Sequence, residues 1–461
     1  MIVCAAMVPH PPIAVSEIGN GEEEKMRKTL DGYKAVSEFI ASFHPDTIVL
    51  SSPHAILCRD YFQVSSGRQG YGDLGQFNAG EVTFDIPYDE EFTAALNTEL
   101  KVHGFPGGTD YDREQILDHG TMVPLYFLRK ALQSFKLVRI GLSGLPLRMH
   151  YEMGMYIDKT AEKLNRRVAY IASGDLAHNQ KVDGPYGYSK EGPEYDERIM
   201  KDMGNADFLQ LFHYDPVFLE KAMECGHRSF VMLAGALDRR NTEAKVLSHE
   251  APFGGGYGII EYTVKERNDE RNILDQYLKE EEQTIQERIQ CEDPYVSLAR
   301  RTIEMWVKEH RRIQTANDLP AEMTEDKAGV FVSIHENGEL RGCIGTIRPV
   351  YGSIAQEIMH NAVSASSEDP RFEPIQKEEL PYLNINVDVL KQPERIHSRS
   401  ELDVKRYGVI CTKSGRQGLL LPNLDGVDTV EQQIDIACRK GGIDPDEDDI
   451  VMQRFEVVRH V

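Results

Sequence analysis

Residues 118–125 read DHGTMVPL, and they stand inside a stretch where short apolar strands alternate with helices. Buried strands are predicted on both sides of this segment, at Ile2–Val8, Thr47–Leu50, Leu137–Leu142 and Val168–Ala172. Helical periodicity is found at Glu22–Phe43, Pro124–Leu132 and Met155–Leu164. Strands that alternate with helices predict an α/β sheet for the first part of the chain.

Four histidines of this part lie in contexts that suggest a site. His10 and His54 each follow a proline, His119 lies in DHGT, and His178 lies in the segment SGDLAHN. His10, His54 and His178 each come just after a predicted strand, and ligands gather at the carboxyl ends of strands in such sheets. Imidazole binds iron, zinc and copper. A single such histidine is more often structural, but four together predict a metal or catalytic site.

The order His10, His54, DHGT and SGDLAHN resembles the class III extradiol ring-cleavage dioxygenases of the LigB type and the related MEMO proteins, over most of residues 1–262. The resemblance implies that His10 and His54 bind a divalent metal. It also implies that His178 acts as acid and base near the substrate and O₂, and that His119 helps to orient the substrate. Asp175 is a candidate to orient His178, or a turn-forming residue.

The third metal ligand stays open, because the matching stretch reads Glu224–Cys225–Gly226–His227. Dioxygenases of the family use a glutamate here, and MEMO proteins use a cysteine. Adjacent helical side chains point about 100° apart, so we expect only one of Glu224 and Cys225 to face the metal. His227 is a further alternative. A glutamate favours Fe(II) and a thiolate favours zinc, Cu(I) or another iron reactivity. We expect Fe(II), with zinc or copper as alternatives.

A charged stretch separates two predicted domains. Residues 265–292 are rich in Glu, Lys, Arg and Gln, which predicts an exposed helical linker. We therefore assign residues 1–264 to the first domain and residues 293–461 to the second. In the second domain, strand patterns mix with helices at Ile354–Ser366 and Thr429–Lys440, and this predicts an α+β fold.

The second domain carries LRGCIGT at 340–346, DPRF at 369–372 and ACRKGGI at 437–443. These motifs resemble the AMMECR1 family over residues 275–461, which implies an α+β fold and leaves the activity open. Arg341 offers a planar fork for a carboxylate or phosphate, and Arg371 is a candidate for the same ligand or for a nearby aspartate. Cys343 beside Arg341 is a candidate nucleophile or redox thiol with a lowered pKa, or a packing residue in a glycine-rich turn.

Composition limits the partners of the chain. The formal net charge of −23 argues against nucleic acid, whose phosphates need a basic surface, and against an anionic membrane. Seven scattered cysteines without CxxC spacing suit free thiols in a reducing compartment. No apolar run approaches the ~20 residues of a membrane span. We expect a cytoplasmic protein with a small-molecule substrate.

Three functions fit this sequence. The first is a metal-dependent oxidoreductase of the extradiol dioxygenase type, which acts on an aromatic or catechol-like molecule. The second, which the resemblance implies, is a MEMO-type metalloenzyme that works with the AMMECR1 module and a separate radical S-adenosylmethionine protein, since this chain has no CxxxCxxC. The third is a non-enzymatic scaffold, against which the intact set of four histidines argues. The oligomeric state stays open, a homo-oligomer included.

Overall fold

The computed structural model describes residues 1–110, 116–314, 319–336, 338–424, 426–447 and 449–461. The backbone divides into two compact units, Met1–Glu280 and Glu281–Val461. Over these described ranges, no helix is long and apolar enough to cross a membrane.

The first unit is built on a six-stranded sheet. The strands of this unit are β1 (Ile2–Val8), β2 (Thr47–Ser52), β3 (Phe62–Gln63), β4 (Gln69–Leu74), β5 (Ala79–Pro87), β6 (Gly107–Gly108), β7 (Lys136–Gly141), β8 (Val168–Ser173), β9 (Arg240–Glu250) and β10 (Tyr257–Arg267). The order across the large sheet is β7-β2-β8-β1-β10-β9. Its first four strands are parallel, and β10 and β9 are added antiparallel at one edge. The predicted α/β character is confirmed.

Helices cover both faces of this sheet. They are α1 (Ser16–Gly19), α2 (Arg27–Ser42), α3 (Glu90–Val102), α4 (His119–Leu128), α5 (Leu147–Lys163), α6 (Glu191–Gly204), α7 (Pro216–Ala222), α8 (His227–Ala236) and α9 (Ile273–Gln290). Along β1, Ala5 and Met7 join the core that holds α3, α5 and α8, whereas Cys4 and Ala6 join the core that holds α2 and α4. Burial on both faces explains why β1 reads as one continuous apolar run.

Two helices begin earlier than the sequence pattern indicates. Helix α4 begins at His119 rather than at Pro124, because the Asp118 side chain caps it and accepts a hydrogen bond from the Thr121 N–H. Helix α5 begins at Leu147 rather than at Met155. Proline is common in the first turn of a helix, and this preference made Pro124 look like a start.

The charged stretch 265–292 contains the end of β10 and helix α9. Ile273 and Leu274, in the first turn of α9, are buried in the first core. The division between the two compact units falls inside this helix, between Glu280 and Glu281.

The second unit holds two four-stranded antiparallel sheets with helices. Its helices are α10 (Pro294–Glu309), α11 (Ala321–Glu325), α12 (Ile354–Ser367) and α13 (Val430–Lys440), and its strands are β11 (Val330–Glu336), β12 (Glu339–Gly345), β13 (Leu383–Leu390), β14 (Glu394–Ile396), β15 (Gly408–Lys413), β16 (Arg416–Leu420), β17 (Val451–Phe455) and β18 (Val457–His460). The strand orders are β12-β11-β13-β18 and β14-β17-β15-β16. Helices α10, α11 and α12 pack in the core of the first sheet, and α13 packs in the core of the second. The predicted α+β fold is confirmed.

Candidate metal centre

Three imidazoles converge at the carboxyl ends of the parallel strands. His10 follows β1, His54 follows β2, and His119 is the first residue of α4. One ring nitrogen from each lies within 4.8 Å of the others. The Nε2 atoms of His10 and His54 are 3.0 Å apart. Nitrogens that each lie about 2.1 Å from one metal ion are separated by roughly 3 Å, so this spacing suits a shared ion.

Ser173 fixes which nitrogen of His10 carries the proton. The Ser173 hydroxyl donates to the Gly120 carbonyl at 2.5 Å, and it lies 2.9 Å from His10 Nδ1. A hydroxyl has a single proton, so Ser173 must accept from His10 Nδ1–H. His10 Nε2 is then left with a bare lone pair, which is the form that binds a metal.

Pro124 explains why the Gly120 carbonyl is open to this hydrogen bond. Within α4, the residue four positions after Gly120 would normally donate its N–H to that carbonyl. Proline has no N–H, so Gly120 keeps an acceptor for Ser173. Pro124 therefore affects the His10 imidazole indirectly, through the Gly120 carbonyl and Ser173.

Asp118 and Gly120 hold the first turn of α4 against the end of β2. The Asp118 carboxylate accepts hydrogen bonds from the Thr121 N–H at 3.0 Å and from the Ser52 hydroxyl at 2.5 Å. A Cβ on Gly120 would lie 2.5 Å from Ser52 Oγ and 3.2 Å from His54 Cδ2. Only glycine therefore lets α4 bring His119 up to His54.

Cys225, and not Glu224, lies beside the imidazoles. Cys225 Sγ is 3.6 Å from His10 Nε2. The Glu224 carboxylate instead accepts from the His227 N–H at 2.6 Å, at the start of α8. The expectation that helical geometry would direct only one of Glu224 and Cys225 toward the metal was wrong in its reason, because both residues precede α8. The hydrogen bond from the His227 N–H holds the Glu224 carboxylate at the start of α8 instead.

His227 is held apart from the centre. Its Nε2 lies 2.9 Å from the Leu211 carbonyl, its Nδ1 lies 3.3 Å from the Tyr195 hydroxyl, and the side chain is fully buried. Both ring nitrogens are therefore engaged in the core, which leaves no donor atom for a metal.

Asp175 and His178 lie next to the three clustered histidines. His178 Nδ1 lies 2.5 Å from the Met223 carbonyl, which only accepts, so Nδ1 carries the proton and Nε2 is the basic atom. Asp175 Oδ2 lies 3.8 Å from that Nε2, and Asp175 Oδ1 accepts from the His10 N–H at 2.7 Å. Burial disfavours a charged His178, but Asp175 and the Met223 carbonyl outweigh burial and raise its pKa.

Burial keeps the three clustered imidazoles neutral. It lowers the pKa of His10 and of His119 to about 4, and it also lowers the pKa of His54. Neutral imidazole is the form that coordinates metals, so no proton has to leave these rings near neutral pH. Burial raises the pKa of Cys225, which makes it a thiol unless a cation stabilises the thiolate. Three imidazoles, with the Cys225 thiol beside His10, are donors of the kind that suits a soft or borderline divalent metal.

Two family models match the chain. The model described as the catalytic LigB subunit of aromatic ring-opening dioxygenase matches residues 4–260, and the AMMECR1 model matches residues 296–460. The chain is a LigB-family protein with an AMMECR1 domain. The predicted order of the two domains is confirmed, and the histidine cluster lies in the LigB domain.

Relatives of this LigB–AMMECR1 chain include a full-length match. A Clostridium acetobutylicum protein is 38% identical over 468 residues, which covers 98% of each chain. A Thermotoga maritima protein is 46% identical over 170 residues, covering 37% of this chain and 98% of its own. A solved structure from Pyrococcus horikoshii is 34% identical over 36% of this chain and 88% of its own, with a TM-score of 0.34.

In the AMMECR1 domain, the two arginines and the cysteine do not share one ligand. The Arg341 guanidinium pairs with Glu379 at 2.7 Å and donates to the Glu373 carbonyl. Arg371 pairs with Asp369 at 2.7 Å. The expectation of a lowered pKa for Cys343 was wrong, because burial dominates and raises it.

Sequence reasoning missed the supporting residues of the LigB-domain centre, namely Asp118, Gly120, Pro124 and Ser173. The DHGTMVP segment carried a usable signal, since an aspartate just before an apolar helical run is typical of a helix cap. Ser173 had none, because its role depends on β8 lying beside β1. The sequence resemblance implied that His119 orients the substrate, and the structure also places His119 among the candidate metal donors.

Proposed function

We propose that the LigB domain is a metal-dependent oxidoreductase of the extradiol dioxygenase type, which acts on an aromatic or related small molecule. His10 and His54 would hold the metal, with His119 or Cys225 completing the set. The observation that carries this proposal is the facing pair of Nε2 atoms, with the His10 nitrogen kept bare by Ser173. We expect Fe(II), with zinc or copper as alternatives.

The chain's own groups can move protons beside that centre. A bound divalent metal supplies Lewis acidity and open positions for substrate and O₂. His178 Nε2 is positioned to accept a proton from a substrate hydroxyl, because Nδ1–H is committed to the Met223 carbonyl. Asp175 then stabilises the imidazolium, as its carboxylate faces the same nitrogen. Of the three clustered histidines only His10 is fully buried, so the side of the centre that carries His54 is open to substrate and solvent.

One observation favours a second function. Cys225 Sγ lies 3.6 Å from His10 Nε2, where a dioxygenase of this type would have a glutamate. A thiolate ligand suits zinc, Cu(I) or a different iron reactivity. The alternative is a MEMO-type metalloenzyme that works with the AMMECR1 module and with a separate radical S-adenosylmethionine protein. Seven free cysteines agree with a cytoplasmic setting for either function.

The first experiment is metal analysis of the full chain purified anaerobically. Wild type is compared with His10→Ala, His54→Ala and the surface control His103→Ala. We expect about one metal ion per chain in wild type and the control, and at least a tenfold loss in the two cluster variants. A wild type that stays metal-free after loading with Fe(II), Zn(II) or Cu would overturn both enzyme proposals and leave a scaffold.

A second pair of variants separates the two functions. Cys225→Ser removes a soft donor, and Glu224→Gln replaces the carboxylate that accepts from the His227 N–H with a neutral amide that can still accept this bond. If Cys225 is a ligand, its replacement lowers metal affinity at least tenfold, while Glu224→Gln keeps the metal. O₂ uptake with catechols by the loaded wild type supports the dioxygenase; a metal-bound but inactive chain supports the MEMO-type alternative.

A further inference from the structure

Three cationic side chains of the AMMECR1 domain, Arg371, Lys440 and Arg459, interact electrostatically with the Cys343 thiol. Cys343 lies on β12 opposite Ser333 of β11, and the Ser333 hydroxyl donates to its Sγ at 3.2 Å. Cys343 as a residue is half-buried. Alkylation therefore tests whether a ligand can reach its sulfur.

Two of the cations at Cys343 are already paired. Arg371 binds Asp369 through Nε and Nη2, and Nη2 also donates to the Cys343 carbonyl at 3.2 Å. Arg459 binds Asp388 with two hydrogen bonds of 2.8 and 3.0 Å. Among the residues that the structure describes, Arg371 Nη1 makes no hydrogen bond, and half of this side chain is exposed.

Lys440 is a third cation that interacts with this thiol. It is the last residue of α13, and it interacts electrostatically with both the Cys343 thiol and Arg371. No carboxylate lies within ion-pair distance of its ammonium in the part of the chain that the structure describes. Partial burial and the neighbouring Arg371 lower the pKa of Lys440, so its charged form would gain from a counter-ion.

Close backbone packing holds this cluster in place. A Cβ on Gly342, next to Cys343, would overlap the Ala365 carbonyl of α12, so β12 is pressed against that helix. A Cβ on Gly418 of β16 would overlap the Ala437 carbonyl of α13, three residues before Lys440. The glycines of LRGCIGT and of β16 therefore fix the strand that carries the thiol and the helix that carries the ammonium.

We propose that Lys440 and the free edge of Arg371 bind the oxyanion of a small molecule, a carboxylate or a phosphate ester, and hold it beside the Cys343 thiol. Guanidinium and ammonium groups both favour such oxyanions. Arg459, which is paired with Asp388, offers an anion little attraction. The Lys440 ammonium, which has no carboxylate partner among the described residues, and Nη1 of Arg371 attract an anion even though the net charge of the chain is −23. Arg341 takes no part, since its fork is filled by Glu379 and the Glu373 carbonyl.

The test compares two alkylating reagents on the full chain. Iodoacetate is anionic and iodoacetamide is neutral, and the ratio of their rates at one thiol cancels its thiolate fraction and accessibility. Peptide mass spectrometry follows Cys343, with the exposed Cys291 as internal reference. We expect Lys440→Gln to lower the ratio at Cys343 roughly three- to tenfold, and added salt to lower it in wild type. Lys440→Arg and the surface control Lys308→Gln should keep it.

Protection completes the test and separates the two ligand sources. Inorganic phosphate and acetate are added separately. The anion that slows the alkylation of Cys343, and not that of Cys291, identifies the class of anion that the site prefers. Equal ratios in wild type and Lys440→Gln, or no protection by either anion, would overturn the proposal. A Cys343 that reacts with neither reagent on the native chain removes the open site and also overturns it.

Discussion

Ser173 accepts a hydrogen bond from His10 Nδ1–H and donates one to the Gly120 carbonyl, so one hydroxyl determines which nitrogen of His10 is free. Ser173→Ala frees Nδ1 and lets His10 exchange tautomers. We expect metal affinity to fall about 10- to 100-fold, which is the usual effect of losing a hydrogen bond to a metal-binding histidine. Competition titration with a chelator measures this change.

The matched control for this serine is Ser229→Ala. Ser229 is also buried, but its hydroxyl bonds Ser51 rather than a histidine. Both variants should lose about 1 kcal/mol of unfolding free energy, while only Ser173→Ala changes metal affinity. Equal affinities in the two variants would show that the proton on His10 is set in another way.

Helix α4 carries His119 on its first residue, and Asp118 caps that end. Asp118→Ala removes the cap and the hydrogen bonds to Thr121 and Ser52. We expect a loss of about 1–2 kcal/mol in unfolding free energy, together with weaker metal binding as His119 shifts. Asp215→Ala is the control, because Asp215 caps α7 with the same geometry. It should cost stability alone, and weaker metal binding in this control would contradict the assignment.

Strand β12 is tied to the loop after α12 through Asp369, which accepts from the Cys343 N–H at 2.9 Å. Arg371 lowers the pKa of this carboxyl to about 2. Its contribution to stability is therefore complete above about pH 4 and is lost as the pH falls toward 2. We expect wild type to lose on the order of 1–2 kcal/mol in this window, after allowance for the exposure of Arg371.

Asp369→Asn removes that acid-dependent part of the stability. Denaturant unfolding between pH 5 and pH 2 measures it, and hydrogen exchange at Cys343 reports the local bond. The control Glu373→Gln changes an exposed carboxylate and should keep the wild-type profile. If the unfolding free energy falls equally steeply with pH in Asp369→Asn and in wild type, another group titrates between pH 5 and pH 2.

Among the secondary-structure elements, the sequence predicted the positions of the strands better than the ends of the helices. His10 and His54 were expected just after strands because buried strands read as apolar runs, and the backbone agrees. The start of α4 was not predictable from periodicity, since an aspartate cap overrode the proline signal. The choice between Glu224 and Cys225 depended on a hydrogen bond to the His227 N–H. A helical pattern alone cannot reveal such a contact.

For the whole molecule, both fold classes and their order could be predicted from short motifs. The relation of residues on separate strands could not, because Ser173 meets His10 only through the pairing of β8 with β1. Lys440 was missed for the same reason, since it is 97 residues from Cys343 in the chain numbering (440 less 343) and comes close only in the folded domain. Tertiary pairing of this kind leaves no local pattern.

Because the chain divides into two compact units, a metal bound in one of them should change the thermal unfolding of that unit. A metal held by the LigB domain stabilises that unit by about 2.7 kcal/mol at one hundred times its Kd. We expect the thermal transition of this unit to rise by about 4–5 °C, because the unfolding entropy of a unit of this size is large. Calorimetry with and without metal measures the shift, and His54→Ala should abolish it. A shift that persists in His54→Ala would place the metal elsewhere.

The candidate donors of the centre come from distant parts of the chain, since His54 and Cys225 lie 44 and 215 residues from His10. A ribosome that adds about 5–20 residues per second needs roughly 10–40 s to proceed from His10 to Cys225. Strand β1 is synthesised first, and it cannot pair with its neighbour β10 until β10 has also been synthesised. The nascent chain therefore cannot assemble all these donors until more than 200 residues have been translated, and cellular metal delivery would come late in synthesis or after it.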